Sequence, residues 1–250
     1  ITTQKIYNLL GGCLMKQSKI LVTVGYPEMA QKFRDIAREL NIEITIVEGV
    51  LEEAANEVAE LIEKNQYEAV ISRAGTAKIL KECITLPVIH HDSDHFDLVD
   101  SFLRAKELGD RICFITYSEQ GYLFDFKKIQ NALPFPIKIL PYQNSKELFA
   151  QIKKAKSLHM DVVVGGGIRA AQITNSLNMK PMYLTSSERN IRRALTLASQ
   201  IALDRLEIKQ KAEVLRSVIN ASEDGVLYID FNQRLVSCNT VAEHLFKIVE

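Results

Sequence analysis

The chain has 250 residues, 47% of them hydrophobic and 25% charged, with 31 basic side chains against 31 acidic ones. That balance removes the electrostatic argument for a nucleic-acid or membrane surface, and no apolar run reaches the roughly 20 residues a bilayer span requires. The four cysteines, Cys13, Cys83, Cys113 and Cys238, are scattered without a Cys-x-x-Cys pair, the pattern of buried free thiols in a reducing cytoplasm rather than of disulfides or zinc.

Residues 1–18 lack the layout of a signal peptide; with Met15 a plausible start, they are read as a leader or non-native segment. From Lys19 short apolar runs alternate with amphipathic stretches. "KILVTVG" reads as a buried strand, and "PEMAQKFRDIAREL" as a helix with Pro27 in its first turn and Met29, Phe33, Ile36, Ala37 and Leu40 on one face. "IEITIVEG", "YEAVIS" and "LPVIHH" read as strands. "LEEAANEVAELIEKN", "TAKILKECI" and "FDLVDSFLRAKEL" read as helices, the last closed by Gly109.

The alternation then restarts. "RICFITY", "FPIKILPY", "MDVVVGG" and "KPMYLT" read as strands, with helical segments "EQGYLFDFKKIQNAL", "SKELFAQIKKAKSLH" and "IRAAQITNSL" between them. Apolar strands each followed by a helix imply parallel sheets covered on both faces. The expected fold is α/β, with two Rossmann-like lobes at about 19–108 and 110–184 and a cleft between them.

From Ser187 to Ala221 there is no Gly or Pro. Ala194, Ala198, Ile201, Arg205, Ile208, Ala212, Leu215 and Ile219 are spaced as a heptad seam. A helix packed on its own lobe is the reading for the first half (187–206). A coiled-coil dimer contact is the reading for the second, a signalling linker at 207–221. Beyond it, "GVLYID" and "RLVSCN" read as two short strands around a turn at Phe231–Gln233, and "TVAEHLFKI" as a helix. Two strands and a helix cannot bury a core alone, so 222–250 is read as the start of a further domain.

In an open parallel sheet, ligands bind at the carboxyl ends of strands near helix N-termini. Four segments fall there. Ser72-Arg73-Ala74-Gly75-Thr76-Ala77 offers hydroxyls, helix-start N–H groups and an arginine able to fork onto an oxyanion. It reads equally as a capped helix with Arg73 in water. "HHDSDHFD", His90–Asp97, contains three histidines and three aspartates. Neighbouring residues of a strand face opposite ways, so His90 and His91 do not readily share a metal. A ligand-facing loop around His91, Asp92 and Ser93, or a cap at Asp94, are the other readings, and no metal is expected. "VVVGGGIRAAQ" is an anion cradle at Gly165, Gly166 and Gly167, or a tight turn. Thr185-Ser186-Ser187-Glu188 is a capping-type start that can also put hydroxyls into the cleft. Neither a G-x-S-x-G elbow nor a G-x-x-x-x-G-K-[ST] loop is present.

The order "AVISRAGTAKIL", "PVIHHDSDHFDLVDSF", "DVVVGGGIRAAQI", "TSSERNIRRALTLA" resembles the N-terminal domain of the propionate catabolism regulators, sigma-54-dependent transcriptional activators, over about Lys19–Leu206. The tail from about Ala212 resembles the beginning of a PAS domain. The resemblance implies a two-lobed, periplasmic-binding-protein-like fold that senses a small metabolite in the cytoplasm, 2-methylcitrate in the best-known branch. By motif, Ser72, Arg73, Gly75, Thr76 and Ala77 would line the pocket, with polar residues at His91 to Ser93, Gly165 to Gly167, Ser186 and Ser187. One departure is the segment "HHDSDH", less charged in relatives, whose aspartates disfavour a tricarboxylate. The heptad seam, apart from the resemblance, is what points to homodimerisation through the linker helix. Contacts with DNA and sigma-54 RNA polymerase would come only through ATPase and DNA-binding domains outside this chain. No cofactor is expected in the sensing domain, no membrane partner and no catalysis. The alternative reading is a small-acid isomerase or lyase using His90, His91 or Asp92.

Overall fold

A computed structural model describes residues 19–91, 93–118 and 124–247. The expectations for residues 1–18, including Cys13, and for Asp92 and the start of "EQGYLFDFKKIQNAL" lie outside the described residues. Two compact units divide the chain, residues 1–202 and 203–250.

The first unit holds two four-stranded, fully parallel sheets. In order, its elements are β1 (Lys19–Val24), α1 (Pro27–Glu39), β2 (Glu43–Glu48), α2 (Leu51–Lys64), β3 (Ala69–Ser72), α3 (Ala74–Cys83), β4 (Val88–His90) and α4 (His95–Leu108). Then come β5 (Ile112–Tyr117), α5 (Phe126–Ala132), β6 (Ile137–Tyr142), α6 (Ser145–Ser157), β7 (Val162–Gly165), α7 (Gly167–Ser176) and β8 (Lys180–Met182). The first sheet runs β2-β1-β3-β4 and the second β6-β5-β7-β8. The central strands carry the near-continuous apolar runs, and every residue of β5 is buried, because helices cover both sheet faces.

Local chemistry accounts for the element ends. Pro27 opens α1, and Met29, Phe33, Ile36 and Ala37 form its buried face. Asp94 and Asp97 make a reciprocal capping box at the start of α4. Gly109 ends α4 in an extended conformation, φ −178°, not in a left-handed cap. α3 begins at Ala74, two residues earlier than its periodicity indicates, with Ala74 itself at φ +50°.

The chain exchanges sheets twice. α4 follows the first sheet, yet Leu98, Phe102 and Ala105 bury against Ile112, Phe114, Val162 and Val164 of the second. The long helix α8 (Glu188–Asn220) follows the second sheet, but Ile191, Ala194, Leu195, Ala198 and Ala202 pack with β1 and α1 of the first. The first exchange therefore falls at residues 91–94, before α4, rather than at Gly109. The two connections lie side by side: Ser93 Oγ sits 3.1 Å from Ser186 Oγ.

In the second unit, the rest of α8 is followed by β9 (Leu227–Ile229), β10 (Leu235–Cys238) and α9 (Thr240–Phe246). β9 and β10 form an antiparallel pair. Asn239, 1% exposed, ties these pieces together. Its Nδ2 donates to Ile219 O (3.1 Å) and Asp224 O (2.9 Å), and its Oδ1 accepts from Val226 N and Ala242 N, both at 2.9 Å. Ile208, Leu215, Tyr228 and Phe231 are exposed. Among the described residues, no helix is long and apolar enough to cross a membrane. Cys113 is buried, and burial pushes its thiol up to about 12, whereas Cys83 is exposed, contrary to the expectation of uniformly buried thiols.

Candidate functional site

In each sheet the strand order reverses beside its first strand, between β1 and β3 and between β5 and β7. Ligand sites form at such switch points because the two flanking helices leave to opposite faces and open a crevice there. The two crevices face each other. Together they make a cleft of about 680 Å³, solvent at its mouth included, lined by Thr23–Tyr26, Gly49–Leu51, Arg73–Thr76, Phe114–Tyr117, Tyr142, Gly165–Gly167, Tyr183 and Leu184, with Val24 absent from the wall.

Three strand-to-helix turns meet in this cleft, and each contains a left-handed residue: Leu51 (φ +54°), Ala74 (φ +50°), and Gly165 to Gly167 (φ +96°, +81° and +75°). Such turns direct backbone N–H groups inward. At two of them one N–H is engaged within the protein. Leu51 N donates to Thr76 Oγ1 at 2.7 Å, and Ile168 N donates to Gly25 O of the opposite lobe at 2.8 Å. None of the three helix starts has a side-chain cap, so first-turn N–H groups at each lack an intrahelical acceptor.

The lobes meet closely. A Cβ on Gly75 would lie 2.6 Å from Leu51 Cδ2 and 2.7 Å from Tyr117 Cδ2. Gly75 thus admits the Tyr117 ring of the opposite sheet. Arg169 bridges to Glu53 at 2.6 Å, and Ser145 Oγ donates to Glu52 Oε2 at 2.5 Å.

Arg73 projects from the end of β3 into the cleft. Its guanidinium donates to Ser93 Oγ at 3.1 Å and, weakly, to Leu184 O at 3.4 Å, one acceptor on each connection between the sheets. Among the described residues no carboxylate pairs with it. Tyr26 Oη also donates to Leu184 O, at 2.6 Å, and its ring stacks on Tyr183 at 4.5 Å and 9°. Burial pushes the Tyr26 hydroxyl up to about 12 against the opposing pull of Arg73, and Tyr142 up to about 12 in the same way.

Of the residues proposed from sequence, Arg73, Gly75, Thr76, Gly165, Gly166 and Gly167 line the cleft. Ser72 and Ala77 are buried behind it, and Ser72 Oγ sits 2.7 Å from Thr23 Oγ1. His91 is buried edge-on to Phe33, whereas His90 is exposed. Ser93 and Ser186 belong to the connections. Ser187 N donates to Asp97 Oδ1 at 3.0 Å, and Asn190 Nδ2 reaches both Asp94 and Asp97. Burial raises the Asp94 carboxyl, but hydrogen bonds from Asp97 N and Asn190 outweigh it and hold the group below its ordinary value. No group of three metal-binding side chains occurs among the described residues. The sequence reading missed Tyr26, Tyr117, Tyr142 and Tyr183, whose only local signal is a position at or just past a strand end.

Residues 38–207, more than half of the chain, match the model of a family described as propionate catabolism activator. An NtrC family transcriptional regulator from Clostridium acetobutylicum is similar in structure, with a TM-score of 0.66 over 76% of this chain and 98% of that one. At 22% identity the likeness is one of fold. A lac repressor dimer bound to operator and the anti-inducer ONPF is more distant, with 11% identity, coverage of 81% and 91%, and a TM-score of 0.38, and carries no argument.

Proposed function

The chain belongs to the propionate catabolism activator family, and from that premise we propose that its first unit is a ligand-sensing domain in which a small carboxylate binds between the lobes. One observation carries this reading. Arg73 stands at the meeting of two switch points, in a cleft that supplies it with neutral acceptors and, among the described residues, no acid. A guanidinium so placed can take a carboxylate in a forked, charge-assisted pair.

The binding site is wired to the connections between the lobes. Arg73 touches both, and Ser187 and Asn190 join the start of α8 to the capping box of α4. Ligand that binds the closed form better than the open one shifts that equilibrium, and α8 moves with it. In the finer reading, the exposed Ile208 and Leu215 of α8 form a homodimer contact that passes the motion to a PAS domain and to the ATPase and DNA-binding domains of a sigma-54-dependent activator. Neither His90 nor His91 lines the cleft, which favours sensing over an isomerase or lyase built on them.

Native mass spectrometry of the purified chain, followed by calorimetry with small carboxylates, tests the proposal. Arg73→Ala should weaken binding by about 1.5–3 kcal/mol. Unchanged affinity would remove Arg73 from the site and the proposal with it.

A further inference from the structure

We infer that the cleft is built for a monocarboxylate with a flat, unsaturated or aromatic body, its carboxylate held between Arg73 and Tyr142. This rests on the ligand-sensing reading of the same cleft and deepens it.

The charge balance sets the number of carboxylates. Among the described lining residues there is one guanidinium and no other charged side chain. Helix N-termini add partial positive charge, and of their N–H groups those of Leu51 and Ile168 are bonded within the protein. Arg73 is the one full positive charge in that set. One carboxylate is neutralised by that set. A trianion would bring two further charges with no cationic side chain to meet them, a cost wherever the cleft excludes water.

Tyr142 supplies the second, independent observation. Its side chain is 8% exposed and lines the cleft, yet its hydroxyl bonds to no group among the described residues. That oxygen is not sealed off from solvent, so it is open to a partner in the cleft, and it lies within the electrostatic reach of Arg73. A tyrosine hydroxyl is protonated at neutral pH, and burial only reinforces this, so it is a donor, the complement of a carboxylate oxygen.

The rest of the wall sets the body of the ligand. Four tyrosines line the cleft. Tyr26 and Tyr183 present a parallel stack, and Tyr117 and Tyr142 meet edge to face at 5.8 Å. Aromatic walls of this kind favour a planar partner through stacking and edge contacts.

Calorimetry on the whole chain with benzoate, cinnamate, succinate and citrate tests the inference. Benzoate or cinnamate should bind at least about tenfold more tightly than either polyacid, and Tyr142→Phe should weaken that binding about tenfold. The phenylalanine keeps the ring, and an unchanged melting temperature of the free variant confirms the fold. Tighter binding of succinate or citrate, dependent on Arg73, would overturn this inference and leave the sensing reading intact. If none of the four binds at millimolar concentration, both fail. Equal binding of the aromatic acids by wild type and Tyr142→Phe overturns the role of Tyr142.

Discussion

Gly75→Ala should prop the cleft open. The added Cβ would sit 2.6 Å from Leu51 Cδ2 and 2.7 Å from Tyr117 Cδ2 and Cε2, where both neighbours are buried at 1% and 7% exposure. Overpacking of this kind costs about 1–3 kcal/mol. Gly75 lies within α3 and outside the left-handed region, so alanine brings no backbone strain there and even favours the helix by up to about 1 kcal/mol. The cost therefore falls on the closed arrangement, because Tyr117 comes from the other sheet and Leu51 can swing into the space it leaves. At about 2–4 °C per kcal/mol for a chain of this size, the melting temperature should fall by several degrees. The radius of gyration from small-angle scattering should rise. If ligand binding requires closure, affinity should drop roughly five- to a hundredfold. Gly49→Ala is the control for melting and scattering, since its Cβ would meet only Ala54, at 3.3 Å and within the same lobe. A Gly75→Ala protein with wild-type melting, scattering and affinity would refute the idea that Gly75 exists to admit Tyr117.

Ile208→Lys combined with Leu215→Lys should reduce self-association in sedimentation while leaving anion affinity nearly intact, because both side chains are exposed; a double variant still dimeric at micromolar concentration would place any dimer contact elsewhere. Hydrogen bonds from Arg111 hold the Asp161 carboxyl down to about 2, from an ordinary 3.8. A depressed carboxylate contributes stability above its unfolded value that is lost as pH falls through the folded one, so the melting-temperature difference between wild type and Asp161→Asn should shrink between about pH 4 and pH 2. Solvent at this half-exposed pair keeps the effect small, and a difference independent of pH would show that the ion pair contributes nothing. A chelator should leave the melting temperature unchanged; a fall reversed by zinc would assign a metal to His90–Asp97.

The alternation of apolar runs with amphipathic stretches was enough to determine two parallel α/β sheets, because side-chain periodicity is a local property and reports which face of each element is buried. It located the strand ends too, and with them Arg73, Gly75 and the three glycines of the cleft. Periodicity does not report what covers a buried face. The apolar stripe of α4, Leu98, Phe102 and Ala105, reads the same whether it packs on the sheet before it or the sheet after it, and only the tertiary structure shows that it crosses to the second. The cleft wall has the same character. Tyr26, Tyr117, Tyr142 and Tyr183 are separated by tens of residues and carry no motif, and strand order alone brings them together. The residues that look most chemical, His90 and His91, part at the end of β4, one to solvent and one buried edge-on to Phe33. Helix α8 shows both regimes in one heptad pattern. Its spacing is uniform, but Ala194 and Ala198 are buried because the first sheet presents an apolar face to them, whereas Ile208 and Leu215, at the same spacing, are exposed.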